Sequence, residues 1–195
     1  MREGKVRYLG ASNFAGWQLA KARGISTARG WEPFASLQPT YSLVTRDIER
    51  ELLPLCRHDS VAVLPYGPLA GGLLSGKYHE GKAPPPDTRA GGDPLLSRGM
   101  SFQMTARGFA TARAVQTVAS TCDRTPSQVA LNWVLTRQGV TAPILGVRTI
   151  DQLKDNLGAS GWRLEPEDET LLNEASRIRL GYPHDFHTWM AELGM

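Results

Sequence analysis

Two stretches of this chain combine glycine with a cation. In one, Gly67, Pro68, Leu69 and Gly71 precede Lys77; in the other, Gly146 precedes Arg148. A pyrophosphate-like anion needs close backbone approach and positive charge, and glycine admits the approach because it carries no Cβ. Gly146 and Arg148 also stand just ahead of a helical pattern holding Gln152, Asp155 and Asn156. An anionic oxygen there would meet a helix amino terminus and a guanidinium together. Gln152 and Asn156, four residues apart, share a face of that helix. A second polar set lies at the ends of apolar runs: Ser12 and Asn13, Gln38, and Tyr66. By residue type alone, Ser12 and Asn13 read as helix caps, Gln38 as a strand-end polar contact and Tyr66 as a half-buried packing residue. Arg89, in a proline-rich stretch, reads equally as a solvated surface charge.

Alternating strands and helices must position these residues. Arg7 to Ser12 reads as a short buried strand, followed by a helix from near Asn13 whose covered face takes Trp17, Leu19, Ala20 and Ala22, with Gly24 and Gly30 at its end. Residues 34–41 form the next strand. Thr45 is placed to cap a helix ending near His58. Residues 61–66, nearly all apolar, suit a strand covered on both faces, as in a parallel sheet with helices outside. Residues 68–103, rich in Gly and Pro, read as a long functional loop that would cover a bound cofactor. Helices follow over about 104–121 and from Thr125-Pro126, where Thr caps and Pro takes the first turn. Residues 142–147 form a fourth strand, 151–157 a helix stopped by Gly158, and 164–177 a last helix. The tail, 178–195, shows little regular pattern around Tyr182, Phe186 and Trp189.

The chain is 195 residues long with 41% hydrophobic and 21% charged residues, so a soluble globular protein of one domain is expected over 1–195. Lys+Arg 22 against Asp+Glu 19 leaves +3, too small and scattered to argue for a nucleic-acid or membrane surface. Cys56 and Cys122 lack metal-ligand spacing and read as buried reduced thiols, which with the absence of an apolar leader gives a cytoplasmic expectation. Four β/α units fit an open doubly wound sheet or half of a (β/α)8 barrel. The first lacks its usual Gly-x-Gly-x-x-Gly turn, and the second would place its chemistry at the carboxyl ends of the strands, where the polar residues cluster.

Gly10-Ala11-Ser12-Asn13-Phe14, Gln38-Pro39-x-Tyr41-Ser42-Leu43, the run from Pro65 to Tyr78, and Gly146-Val147-Arg148-Thr149-x-x-Gln152-Leu153-x-x-Asn156-Leu157 together resemble the aldo-keto reductases. Their order and spacing match over almost the whole chain. The Gly76-Lys77-Tyr78 form resembles the branch of bacterial NADPH-dependent reductases and potassium-channel β-subunits. The resemblance implies an α/β (β/α)8 TIM barrel, of which this chain would supply about strands five to eight, a truncated carboxyl-terminal half. It implies an NADPH-dependent oxidoreductase reducing aldehydes or ketones to alcohols. The catalytic Asp, Tyr, Lys and His would lie on the missing half, and Tyr8, His58 and Lys77 match none of them, so no catalytic residue is assigned.

The NADP(H) site implied by the resemblance is residue-specific. Tyr66 would stack on the nicotinamide, with Ser12, Asn13 and Gln38 on its carboxamide. Gly67, Pro68, Leu69, Gly71 and Lys77 would hold the pyrophosphate, and Arg89 would reach in from the loop. Gly146 and Arg148 would take the extra phosphate, and Gln152, Asp155 and Asn156 the adenosine end. Metal ligands are not expected. The expected partners are a small carbonyl substrate once the missing half is supplied, and a second copy or a separate amino-terminal half. The alternative is an inactive NADPH-binding module that pairs with another chain.

Overall fold

The computed structural model describes residue 1 and residues 3–194. Three short strands, β1 (Gly10–Ser12), β2 (Ser36–Gln38) and β3 (Ala62–Val63), form a parallel sheet in chain order. The register places Ala11 beside Leu37 and Leu37 beside Val63. A fourth strand position is filled by residues 140–144 through single bridges, Val140 to Val63 and Ile144 to Tyr66. The expected strand at 142–147 therefore begins earlier and never becomes a continuous ladder. Its anchors are Thr141 N–H to the Val63 carbonyl at 2.9 Å and Ile144 N–H to the Pro65 carbonyl at 2.7 Å. Four parallel positions in strict chain order, with no reversal, belong to a barrel arc and not to a doubly wound sheet, whose order switches at its centre.

Alternation along the strands divides the sheet into two faces. Ala11, Leu37 and Val63 are buried on the helix side, in one hydrophobic cluster with Leu19, Leu43, Val115, Trp133 and Leu172. The open face carries Gly10, Ser12, Ser36 and Gln38. Exposed apolar side chains include Tyr8 and Leu9 just before β1, Trp17 shortly after it, and Ile144, Val147 and Ile150.

The helices follow their local chemistry with some corrections. Helix α1 (Gly16–Ala28) runs through Gly24 and turns Trp17 outward at 64% exposure, leaving Leu19 as its buried residue. Thr45 caps nothing: Ser42 Oγ accepts from the N–H groups of Val44 and Thr45, closing a tight turn. A 3-10 turn at Asp47–Glu49 follows, and α2 (Leu52–His58) starts only after it. The long loop holds a 3-10 segment at Ala70–Ser75 and helix α3 (Pro94–Met100). Its Tyr78 is buried and accepts a hydrogen bond from Ala90 N–H at 3.3 Å. Helices α4 (Ala106–Thr121) and α5 (Pro126–Leu135) fall where expected, the latter opened by reciprocal bonds between Thr125 and Gln128. Apolar residues circle α5, so it is buried nearly all round, as such a helix must be. Helices α6 (Ile150–Leu157) and α7 (Pro166–Ala175) complete the packing. The tail departs from the expectation, forming α8 (His184–Glu192) without a buried residue.

Cys56 is buried and desolvation pushes its thiol up to about 11, while Cys122 is half-buried, its thiol likewise raised by burial. No helix among the described residues is long and apolar enough to cross a membrane.

Candidate cofactor site

The carboxyl ends of the four strand positions meet on one rim, and the polar residues singled out above stand there. Ser12 closes β1 and Gln38 closes β2. Ser12 Oγ donates to the Gln38 carbonyl at 2.9 Å, and Asn13 N–H donates to the same oxygen at 3.3 Å. Asn13 has φ 57°, a left-handed conformation that Asn accepts better than most residues. The Gln38 side chain is exposed toward the open face.

Tyr66 reaches the same rim. Its N–H donates to the Pro39 carbonyl at 2.9 Å and its own carbonyl accepts from Tyr41 N–H at 3.2 Å, so the backbone is fixed to the chain beyond β2. Its hydroxyl donates to Asn13 Oδ1 at 2.9 Å. Tyr66 is 37% exposed, which leaves part of its surface open and fits the half-buried packing role as well. Tyr41 supplies the rigidity behind it: its side chain is 1% exposed, packs against Trp133 with ring centres 5.5 Å apart, and donates to Glu49 Oε1 at 2.6 Å. Burial and the neighbouring Glu49 carboxylate raise the Tyr41 phenol far above its ordinary value, so it stays a donor. Arg46 completes the anchor with two bonds to Glu49, at 2.8 and 2.9 Å, and one to Ser176 Oγ at 2.7 Å.

The glycine stretch folds as successive tight turns. Gly67, Gly71 and Gly72 have φ of 66°, 63° and 98°, and a Cβ on Gly72 would fall 2.6 Å from Lys77 Nζ. Only glycine lets the ammonium lie against that turn. Lys77 Nζ also sits 5.3 Å from the centre of the Tyr78 ring. Pro68 is buried and Leu69 packs on the core, so their part is to hold the turn. Arg89 is exposed on the same loop.

Residues 146–156 meet this loop through Arg148, whose Nη1 donates to the Asp87 carbonyl at 2.7 Å. The Arg148 N–H donates to Gln152 Oε1 at 2.9 Å, and Thr149 Oγ1 caps α6 by accepting from Gln152 N–H at 3.2 Å. Gln152 thus holds the backbone of Arg148, and Gly146 before it is exposed. Asp155 faces the other way: its carboxylate accepts from Thr125 Oγ1 at 2.9 Å and from Gln128 Nε2 at 3.1 Å, joining α6 to the start of α5. Asn156 is buried, 7% exposed.

Sequence reasoning missed three parts of this assembly. The Asp87 carbonyl is a backbone group and leaves no signal in residue types. Tyr41 lay inside a quoted motif, and its burial beside Trp133 was not foreseen. The Thr149 cap was legible from a threonine directly ahead of a helical pattern. Of the residues set aside as acids or bases, His58 Nδ1 pairs with Asp59 at 2.8 Å at the carboxyl end of α2, and Tyr8 is 77% exposed.

Hydroxyl and carboxamide side chains beside Tyr66 can donate and accept toward a planar polar group. Of the two cations, Lys77 lies against a glycine turn, whereas Gly146, ahead of Arg148, has no left-handed φ.

The chain is similar to several curated proteins along most of its length. An uncharacterized oxidoreductase, YrpG, of Bacillus subtilis (strain 168) is 36% identical over 174 residues, 89% of this chain and 50% of its own length. The chloroplastic pyridoxal reductase of Arabidopsis thaliana is 30% identical over 177 residues, 90% of this chain and 45% of its own. The versiconal hemiacetal acetate reductase of Aspergillus parasiticus is 29% identical over 178 residues, covering 89% and 49%. The chain spans about half the length of these curated relatives. A family profile described as the Aldo/keto reductase family matches residues 1–177, and on that match this chain belongs to the aldo-keto reductases.

Proposed function

We propose that this chain is the cofactor-binding, carboxyl-terminal half of an NADPH-dependent aldo-keto reductase, an oxidoreductase that converts small aldehydes or ketones to alcohols. The observation that carries the reading is the rim on which Ser12, Asn13, Gln38 and the exposed Tyr66 ring converge. Members of the family generally use NAD(P)H, and the reductase names among the relatives agree with carbonyl reduction. NADPH, when bound, supplies a hydride to the carbonyl carbon.

The residues of this chain bind and orient. The Tyr66 ring offers a flat face for stacking, and Ser12, Asn13 and Gln38 select which face of the nicotinamide is presented. Lys77 and the turns at Gly67 and Gly71 hold pyrophosphate, with Pro68 and Leu69 bracing them and Arg89 approaching from the loop. Arg148, held by Gln152, takes the 2′-phosphate, while the exposed side of α6, with Asn156 buried behind it, serves the adenosine end. Asp155 supports that face through its bonds to α5. The proton donor and its Asp, Lys and His partners belong to the amino-terminal half, so the 195 residues alone bind cofactor without turnover.

Two open parallel edges, β1 and residues 140–144, await partners. An amino-terminal half would close them into a barrel. The second reading, a catalytically inactive NADPH-binding module that pairs with another chain, draws on the same two strand edges.

Titration of the purified chain with NADPH, read by tryptophan quenching and compared with NADH, tests the reading. Saturable binding that prefers NADPH is expected. Soluble, folded chain without binding would refute it. Aldehyde reduction by the chain alone would refute the assignment of the acid to the other half, and size exclusion separates monomer from dimer.

A further inference from the structure

We propose that this chain, on its own, closes its two open strand edges on a second copy of itself, as a two-fold dimer whose parallel strand positions complete one ring. The proposal rests on the partial-barrel reading above and names the other chain with which it pairs.

Each edge carries what the other lacks. Along β1, the Asn13 N–H and the Leu9 carbonyl are spent on β2, so the alternate residues Gly10 and Ser12 turn their N–H and carbonyl groups away from the sheet. At the other edge, Thr141 and Ile144 spend their N–H groups on the Val63 and Pro65 carbonyls, and Pro143 has no N–H to offer outward. At that level the donors of a join come from β1 and the acceptors from residues 140–144. The helices match as well. Right-handed crossovers set α1 over the β1–β2 pair, so α6, which follows the last strand position, overhangs a gap with no described strand beneath it. Helix α1 packs against α2 and α6 against α5, and each exposes two apolar side chains about two turns apart, Trp17 and Ile25 on α1, Ile150 and Leu157 on α6. Trp17 and Ile150 stand at the amino ends of their helices, Ile25 and Leu157 toward the carboxyl ends. Helix α1 has no acidic residue and carries Lys21 between its two apolar residues, whereas α6 opens with Asp151, and Lys154 follows about a turn later.

A two-fold axis along the barrel axis brings β1 of each copy beside residues 140–144 of the other and keeps every strand running one way. The two joins are then identical, and no edge remains. Four strand positions from each copy make eight, a number at which side chains fill a barrel's interior. The small Gly10, Ser12 and Ser36 on the open face leave room inside. In that arrangement α6 of one copy lies beside α1 of the other, and Ile150 and Leu157 cover Trp17 and Ile25. A net charge of +3 on each copy opposes the approach only weakly.

Sedimentation of the purified 195-residue chain over a range of concentrations reads the closure. A dimer that grows no further is expected. A folded monomer at every concentration overturns the proposal and leaves the edges to a different chain, and open-ended growth overturns closure at two copies. Ile25→Lys and Leu157→Glu alter exposed positions away from the rim, and each is first checked for an unchanged circular dichroism spectrum. Each is expected to raise the Kd of the dimer by about tenfold or more. Mixed in equal amounts, the two variants can form a dimer with one unaltered join and one that sets Lys against Glu. The mixture is therefore expected to dimerise more tightly than either variant alone. Indifference of the dimer to both substitutions overturns the proposal, as does a mixture no tighter than its parts, or loss in Ile25→Lys alone, the mark of like faces meeting. NADPH titration of the same samples keeps the two readings apart. A dimer with these responses that binds no NADPH supports the closure and refutes the cofactor reading, whereas a monomer that binds NADPH does the reverse.

Discussion

The two faces of the parallel sheet divide the work of the molecule. Toward the helices, Ala11, Leu37 and Val63 are dry and packed against Leu19, Val115 and Trp133. Toward the open side, one residue along each strand, stand Gly10, Ser12, Ser36 and Gln38. Because successive side chains point to opposite faces, neighbours in sequence serve opposite purposes. The stabilising apolar burial lies on the helix side, so this arc of strands needs no oily interior to hold its shape. The rim chemistry is built on the other side from groups that contribute little to stability.

The sharpest way to break that division is to cross it. Leu37→Ala, at a position with no exposure, is expected to destabilise the chain by about 2–5 kcal/mol through lost burial and a residual cavity. Urea unfolding would show this as a lower midpoint, with NADPH affinity unchanged at low urea. Its neighbour should behave in reverse. Gln38→Ala leaves the twice-used backbone carbonyl in place and is expected to shift stability by no more than about 0.5 kcal/mol while weakening NADPH.

Arg148→Met is expected to lower the preference for NADPH over NADH by about tenfold or more, the worth of a hydrogen bond to a charged group. It also removes the bond to the Asp87 carbonyl, so limited proteolysis should cut residues 80–93 faster. Tyr41→Phe is expected to cost about 1 kcal/mol, because Glu49 keeps its Arg46 partner and loses one donor.

The smallest effect concerns acid. Hydrogen bonds from His58 and then Arg23 hold the Asp59 carboxyl below its ordinary value. A depressed folded value contributes stability above the unfolded pKa, near ~3.9 for Asp, and that contribution disappears as pH falls through the folded one. The stability gap between the unaltered chain and Asp59→Asn should therefore close on acidification below about pH 4. A gap independent of pH would show that Asp59 acts only through its geometry.

Sequence legibility followed the range of the interactions. Thr125-Pro126 and the Gln128 that answers it were readable because a cap is completed within four residues. Thr45 has the same residue type in the same setting, yet it sits inside a turn closed by Ser42, and the 3-10 turn that follows starts after Arg46 without a side-chain cap. Strands read as six to eight residues shrank to two or three, since a ladder lasts only as long as both neighbours stay in register. Trp17 was placed on the covered face by periodicity, and nothing local could say that α1 turns it out. Helix α8 was missed although Tyr182, Phe186, Trp189 and Leu193 are spaced by four, three and four, a helical interval readable in advance. At the rim, residue types could name Ser12, Asn13, Gln38 and Tyr66, but not that Asn13 and Tyr66 touch across 53 positions.

One feature of the tail reaches beyond this chain. The segment after α7 is held by arginines that bind its main chain: Arg107 donates to the carbonyls of Ser176 and Arg177, and Arg50 to those of Arg179 and Leu180. A carbonyl is the same whatever side chain its residue carries. Apart from Ser176, whose buried hydroxyl is itself held by Arg46, the path of residues 177–180 is thus encoded elsewhere, at positions 50 and 107, through contacts that do not depend on the segment's own side chains. Divergence can change what this part of the surface presents while its course stays inherited.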